Sequence, residues 1–81
     1  MKATENTKLR DYYMAMYPTD ALGERINEES TFGDLEDCIN QQGCVYDLFG
    51  VGDSIIRERL FKALAEIMGC SYNYLYMKWV G

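Results

Sequence analysis

The sequence predicts an all-α fold: a small single-domain bundle of four to six helices spanning residues 1–81. Three observations carry this. Apolar residues recur three and four apart through most of the chain, as the buried stripe of a helix requires. Small polar residues and glycines stand where helices begin and end. Nowhere does the every-second-residue alternation of a half-buried strand appear.

Leu9, Tyr12, Tyr13 and Met16 recur at helical spacing and predict a first helix over Thr7 to Tyr17, closed by Pro18, which disfavours helical geometry in the residue before it. Thr19 restarts a short turn through DALGERI with Asp20 in its first turn, and NEES is a polar link. In TFGDLEDCINQQG, Thr31 three residues before Asp34 makes an acidic variant of the capping box, and Gly43 is the expected C-terminal cap. Phe32, Leu35 and Ile39 form its inner face, with Cys38 beside them. CVYDLFG predicts one or two helical turns with Val45, Leu48 and Phe49 inward, broken by Gly50 and Gly52. Asp53 is an N-cap for the longest helix, residues 54–68, with Gly69 past its end. That helix carries two stripes, Ile56/Leu60/Ala63/Leu64/Ile67 and Phe61/Ala65/Met68, so it is expected at the centre. Ser71 caps a last helix with Tyr72, Leu75, Tyr76 and Trp79 on one face.

Composition narrows the function. With 48% apolar and 14% aromatic residues in 81, the chain has too much buriable surface for disorder and room for one core only. No run nears the roughly 18 apolar residues of a membrane span, and MKATENTKLRDYY lacks the apolar core of a signal peptide, so a cytoplasmic protein is expected. In that setting Cys38, Cys44 and Cys70, an odd number at spacings unlike zinc or redox motifs, read as reduced, buried small residues. The chain has no histidine, which removes the usual general base near neutral pH and the commonest metal ligand. A non-enzymatic protein without cofactor or metal is expected.

Net charge is -5, and it is uneven. Residues 1–52 hold ten acids and four bases, residues 53–81 three acids and four bases. Asp20, Glu24, Glu28, Glu29, Asp34, Glu36, Asp37 and Asp47 therefore form a candidate acidic surface for a protein partner with a basic face, the sharper version being a mimic of DNA phosphates. Asp34 and Asp37 are also a weak cation candidate, and the glycines of FGVGDS a weak anion one. Tyr12, Tyr13 and Tyr17 suit base stacking or a dimer contact, but their helical spacing favours the core.

Ala65, Gly69, Ser71 and Leu75 stand at the spacing at which one helix approaches another closely, turns on a left-handed glycine, recaps and anchors. Over these roughly 20 residues the chain resembles the helix-turn-helix family. That resemblance implies DNA binding, with Asn73, Tyr74 and Lys78 toward bases and Arg57, Arg59 and Lys62 toward phosphates. Two departures stand against it: Lys78 occupies an anchor position that is usually apolar, with Trp79 one place on, and the second helix has a single base. In size, charge and composition the chain is similar to small acidic helical proteins of phages and mobile elements, including anti-CRISPR and anti-restriction inhibitors. This likeness implies an inhibitor that occludes a nuclease or its guide complex. A small DNA-binding regulator is the alternative, and a scaffold subunit self-associating through Tyr and Trp a third reading.

Overall fold

The computed structural model describes residues 2–42, 45–49 and 54–81. Among them the chain is all-α: helices α1 (Leu9–Met16), α2 (Phe32–Gln41), α4 (Ser54–Met68) and α5 (Tyr72–Val80), a single-turn α3 (Val45–Leu48) and a 3-10 turn (Ala21–Arg25). No strand forms among the described residues; one isolated antiparallel bridge joins Lys8 to Thr31.

The core is one cluster. Leu9 and Tyr13 from α1, Phe32, Leu35 and Ile39 from α2, Val45 and Phe49 from the α3 segment, and Leu75 from α5 close around Ile56, Leu60, Phe61 and Leu64 of α4. The predicted stripes of α4 are buried except at their ends, where Ile67 is half-buried and Met68 exposed. α5 packs against both α2 and α4. Tyr12 meets Phe32 edge-on at 5.3 Å and Tyr13 meets Tyr17 at 4.9 Å, so the tyrosines of α1 belong to the core and its margin rather than to a stacking face. Met16, at the exposed end of α1, does not join them.

The capping box forms as the sequence predicts. The Thr31 hydroxyl accepts from the Asp34 N–H at 3.3 Å, and Asp34 Oδ2 accepts from the Thr31 N–H at 3.0 Å. The next two free N–H groups of α2 go to the N-terminal segment: Phe32 donates to the Thr7 carbonyl at 3.0 Å and Gly33 to the Glu5 carbonyl at 2.8 Å. A Cβ at Gly33 would lie 3.3 Å from that Glu5 oxygen, so the close approach favours glycine.

Three expectations change. Asp20, not Thr19, caps the 3-10 turn, because its carboxylate is the one that reaches the Leu22 N–H, at 2.9 Å. Gln42 ends α2 in a left-handed conformation, φ 58°, and its side-chain amide donates to the Lys78 carbonyl of α5 at 3.3 Å; the predicted cap Gly43 lies outside the described residues, as do Gly50, Gly52, Asp53 and Cys44. Cys38 is buried but disulfide-bonded, whereas Cys70 is free and half-buried. Reduced thiols throughout are therefore not what the structure has.

Candidate functional site

The eight candidate carboxylates divide into those the fold uses and those it leaves outward. Asp20 belongs to the fold. Its Oδ2 accepts from Arg59 Nη1 at 2.6 Å and from the Tyr13 hydroxyl at 3.0 Å, while Oδ1 takes the Leu22 N–H. Arg59 Nη1 also donates to the Tyr13 oxygen at 2.7 Å, and its guanidinium lies 4.1 Å from the centre of the Tyr17 ring. The Leu22 N–H first, then Arg59 and Tyr13, hold the Asp20 carboxyl below its ordinary pKa. Burial pushes the Tyr13 hydroxyl above its own. This triangle ties α1 and the 3-10 turn to the flank of α4.

Asp34 is spent on the capping box. Glu28 and Glu29 face Arg10 at 3.4 Å and Lys8 at 4.0 Å. Those pairs are solvent-exposed on the acidic side and worth about 0–1 kcal/mol each, so a competing cation can take them over. Glu24, Asp37 and Asp47 are exposed and Glu36 half-buried; none forms an ion pair among the described residues. They sit on adjoining elements: α2 packs on α3, and the link after the 3-10 turn is bonded to α3 through the Asn27 N–H and the Leu48 carbonyl at 2.6 Å.

The C-terminal pair is built as a helix, a left-handed glycine turn and a capped helix. Gly69 has φ 71°, and the Cys70 N–H reaches back to the Ala65 carbonyl at 3.0 Å, the six-to-one bond of a Schellman cap. The Ser71 hydroxyl accepts from the Tyr74 N–H at 3.0 Å. Ala65 and Leu75 are buried between the helices. Lys78 points outward, and Trp79 supplies the anchor one place later, edge-on to Phe61 at 5.8 Å.

All four bases of this half engage the protein's own side chains. The Arg57 guanidinium lies 5.1 Å from the Trp79 ring centre and 5.6 Å from that of Tyr76. Its Nε is buried and makes no hydrogen bond among the described residues. Arg59 is in the triangle, Lys62 pairs with Glu58 at 3.1 Å, and Lys78 lies 5.7 Å from the Tyr74 ring. The outward face of α5 shows Asn73, Tyr74, Met77, Lys78 and Val80, of which one is charged.

An open groove of about 640 Å³ runs between Tyr12 and the Ala63–Ile67 side of α4, edged by Lys2 and Glu66, and adjoins a second of about 450 Å³ toward Arg59 and Lys62. Burial, with Tyr17 and Glu66 nearby, raises the Tyr12 pKa. No group of three potential metal ligands occurs among the described residues, nor a helix long and apolar enough to cross a membrane.

The link between Asp20 and Arg59 is what reasoning from sequence missed. By sequence the two residues fall in different candidate sites, one acidic and one basic. Their separation of 39 positions leaves no local signal. The fold is a small all-α globule in which the four bases of the C-terminal helix pair lie against the protein's own side chains. No family model, curated protein or solved structure matches the chain.

Proposed function

We propose that the chain is a non-enzymatic binding protein whose acidic surface docks on a basic protein partner. Glu24, Glu36, Asp37 and Asp47 form its centre, and the exposed Glu28 and Glu29 extend it. The observation that carries the reading is the division of charges: Glu24, Asp37 and Asp47 are exposed and Glu36 half-buried on adjoining elements, without ion pairs among the described residues, while every base of residues 54–81 lies against the protein's own side chains. A cationic surface that displaces Lys8 and Arg10 from their weak pairs gains two further contacts. Size and charge resemble the small acidic inhibitors of phages and mobile elements. The partner class we favour is accordingly a nucleic-acid-binding enzyme, such as a CRISPR nuclease or its guide complex. In a cytoplasmic encounter of that kind the Cys38 disulfide would face a reducing thiol pool.

The test is capture of partners by the tagged full chain from a bacterial lysate, with and without nuclease digestion, beside the double variant D37K/D47K. One dominant basic protein that survives digestion and is lost with the variant, at unchanged helicity, is expected. Retention by the variant overturns the reading.

The Gly69 turn and the Ser71 cap favour the alternative, a helix-turn-helix regulator. That reading predicts duplex binding that weakens steeply with salt. Absence of binding to any duplex at low salt removes it.

A further inference from the structure

A third groove, open and of about 290 Å³, is lined by residues of α2, α4 and the N-terminal segment. Four of them are apolar: Phe32 and Leu64 are buried at its floor, Ile67 is half-buried and Met68 is 36% exposed. Gly33 brings no side chain to fill it, and the other two are glutamates, Glu5 and Glu36. We propose that this groove takes an arginine side chain of a basic protein partner, its alkyl stem on the apolar floor and its guanidinium at the two carboxylates.

Three observations select that occupant. The first is charge. Neither Glu5 nor Glu36 forms an ion pair among the described residues, and no base lines the groove. The two grooves along Tyr12 differ in this respect, for one carries Lys2 and the other Arg59 and Lys62. The second is the mixed lining. Hydrocarbon beside carboxylates matches a side chain that buries an aliphatic stem and keeps its charged head at the surface. A simple cation has no stem to cover the floor, and an apolar side chain would leave both carboxylates without a partner. The third is preorganisation. The Gly33 N–H donates to the Glu5 carbonyl at 2.8 Å, so the N-terminal wall is fixed on α2 before any ligand arrives and little ordering is lost on binding. Arginine is favoured over lysine because its guanidinium is more weakly hydrated and its five donors can serve two carboxylates at once.

This inference deepens the acidic-surface reading and rests on it for the nature of the partner, since Glu36 belongs to both. Its test uses a free probe, so it succeeds or fails apart from partner capture. The isotope-labelled full chain is titrated at low salt with Nα-acetyl-arginine amide and followed by NMR. The range runs to about 20 mM, well above an expected Kd on the order of 1 mM. Saturable shifts of the Gly33 amide and the Met68 methyl group are expected. The neutral isostere Nα-acetyl-citrulline amide and the bare guanidinium ion should each bind about tenfold more weakly. E5Q and E36Q should each weaken the arginine probe about threefold and the double variant about tenfold, while E24Q, outside the groove, should leave its affinity unchanged.

Circular dichroism establishes that each variant is folded, and the three probes on native protein carry the test by themselves. Equal binding of the citrulline compound overturns the proposal by removing the role of charge. Equal binding of guanidinium overturns it by removing the role of the apolar floor. So does an undiminished affinity in E5Q/E36Q, or the lack of saturation at Gly33 and Met68. A captured basic partner with no such titration strikes the groove alone; a saturable titration with no captured partner supports the groove and strikes the wider surface.

Discussion

Replacing Gly69 with alanine isolates the contribution of backbone conformation to the C-terminal turn. A Cβ at this position meets nothing within 4 Å, so no steric or cavity effect enters. What remains is φ 71°, a left-handed conformation that costs an ordinary L-residue about 1–2 kcal/mol. Alanine also has less freedom than glycine in the unfolded chain, which returns about 0.4–1 kcal/mol. The difference leaves G69A destabilised by about 1 kcal/mol, or a Tm lowered by roughly 4–8 °C for a domain of this size. Asparagine tolerates the left-handed region better than alanine, so the order of stability should be glycine, asparagine, alanine. Urea and thermal unfolding followed by circular dichroism measure all three. Alanine as stable as glycine, or more stable than asparagine, would refute the assignment of the turn.

Leu75, buried where α5 meets α2 and α4, should cost about 2–5 kcal/mol as L75A, read by urea unfolding and by the near-ultraviolet signal of Trp79. T31A removes the hydroxyl half of the capping box and should cost about 1 kcal/mol in the same unfolding assay. Asp20, its folded pKa lowered, contributes stability that is complete above the ordinary carboxylate pKa near 4 and lost as pH falls through the folded value. Acid titration of unfolding should therefore show a smaller pH dependence in D20N. Tyr13, its folded pKa raised, contributes the opposite edge: stability complete below pH about 10 and lost as pH rises through the folded value. Y13F should flatten that alkaline edge.

Most of the fold was legible because it is local. The Thr31–Asp34 box lies within four residues, the stripes of α4 within one helix, and Gly69 and Ser71 within one turn, so each element could be bounded without knowing its neighbours. The misreadings occur where a partner comes from far along the chain. Gln42, in the left-handed position that ends α2, has its side-chain amide bonded to a carbonyl of α5, 36 residues on. Asp20 is taken from the acidic surface by an arginine that looked free for phosphate. Met16 fits the helical period of α1, yet the period runs past the end of the surface that α1 covers. For the candidate site, the sequence supplied the sign and the density of charge. Which carboxylates stay outward depended on where Arg59, Arg10 and Lys8 fall in three dimensions, and spacing along the chain does not encode that.

The backbone bonds from Glu5 and Thr7 to the first turn of α2 bear on handling as well as on architecture. Two amides of that helix's first turn are bonded to carbonyls more than twenty residues upstream. Trimming the first eight residues would strand the Phe32 and Gly33 amides and remove the edge of the groove beside Tyr12. The opening segment is thus a splint for α2. A purification handle is better attached at the other end for studies of the acidic side, and at this end, behind a spacer, for studies of α5.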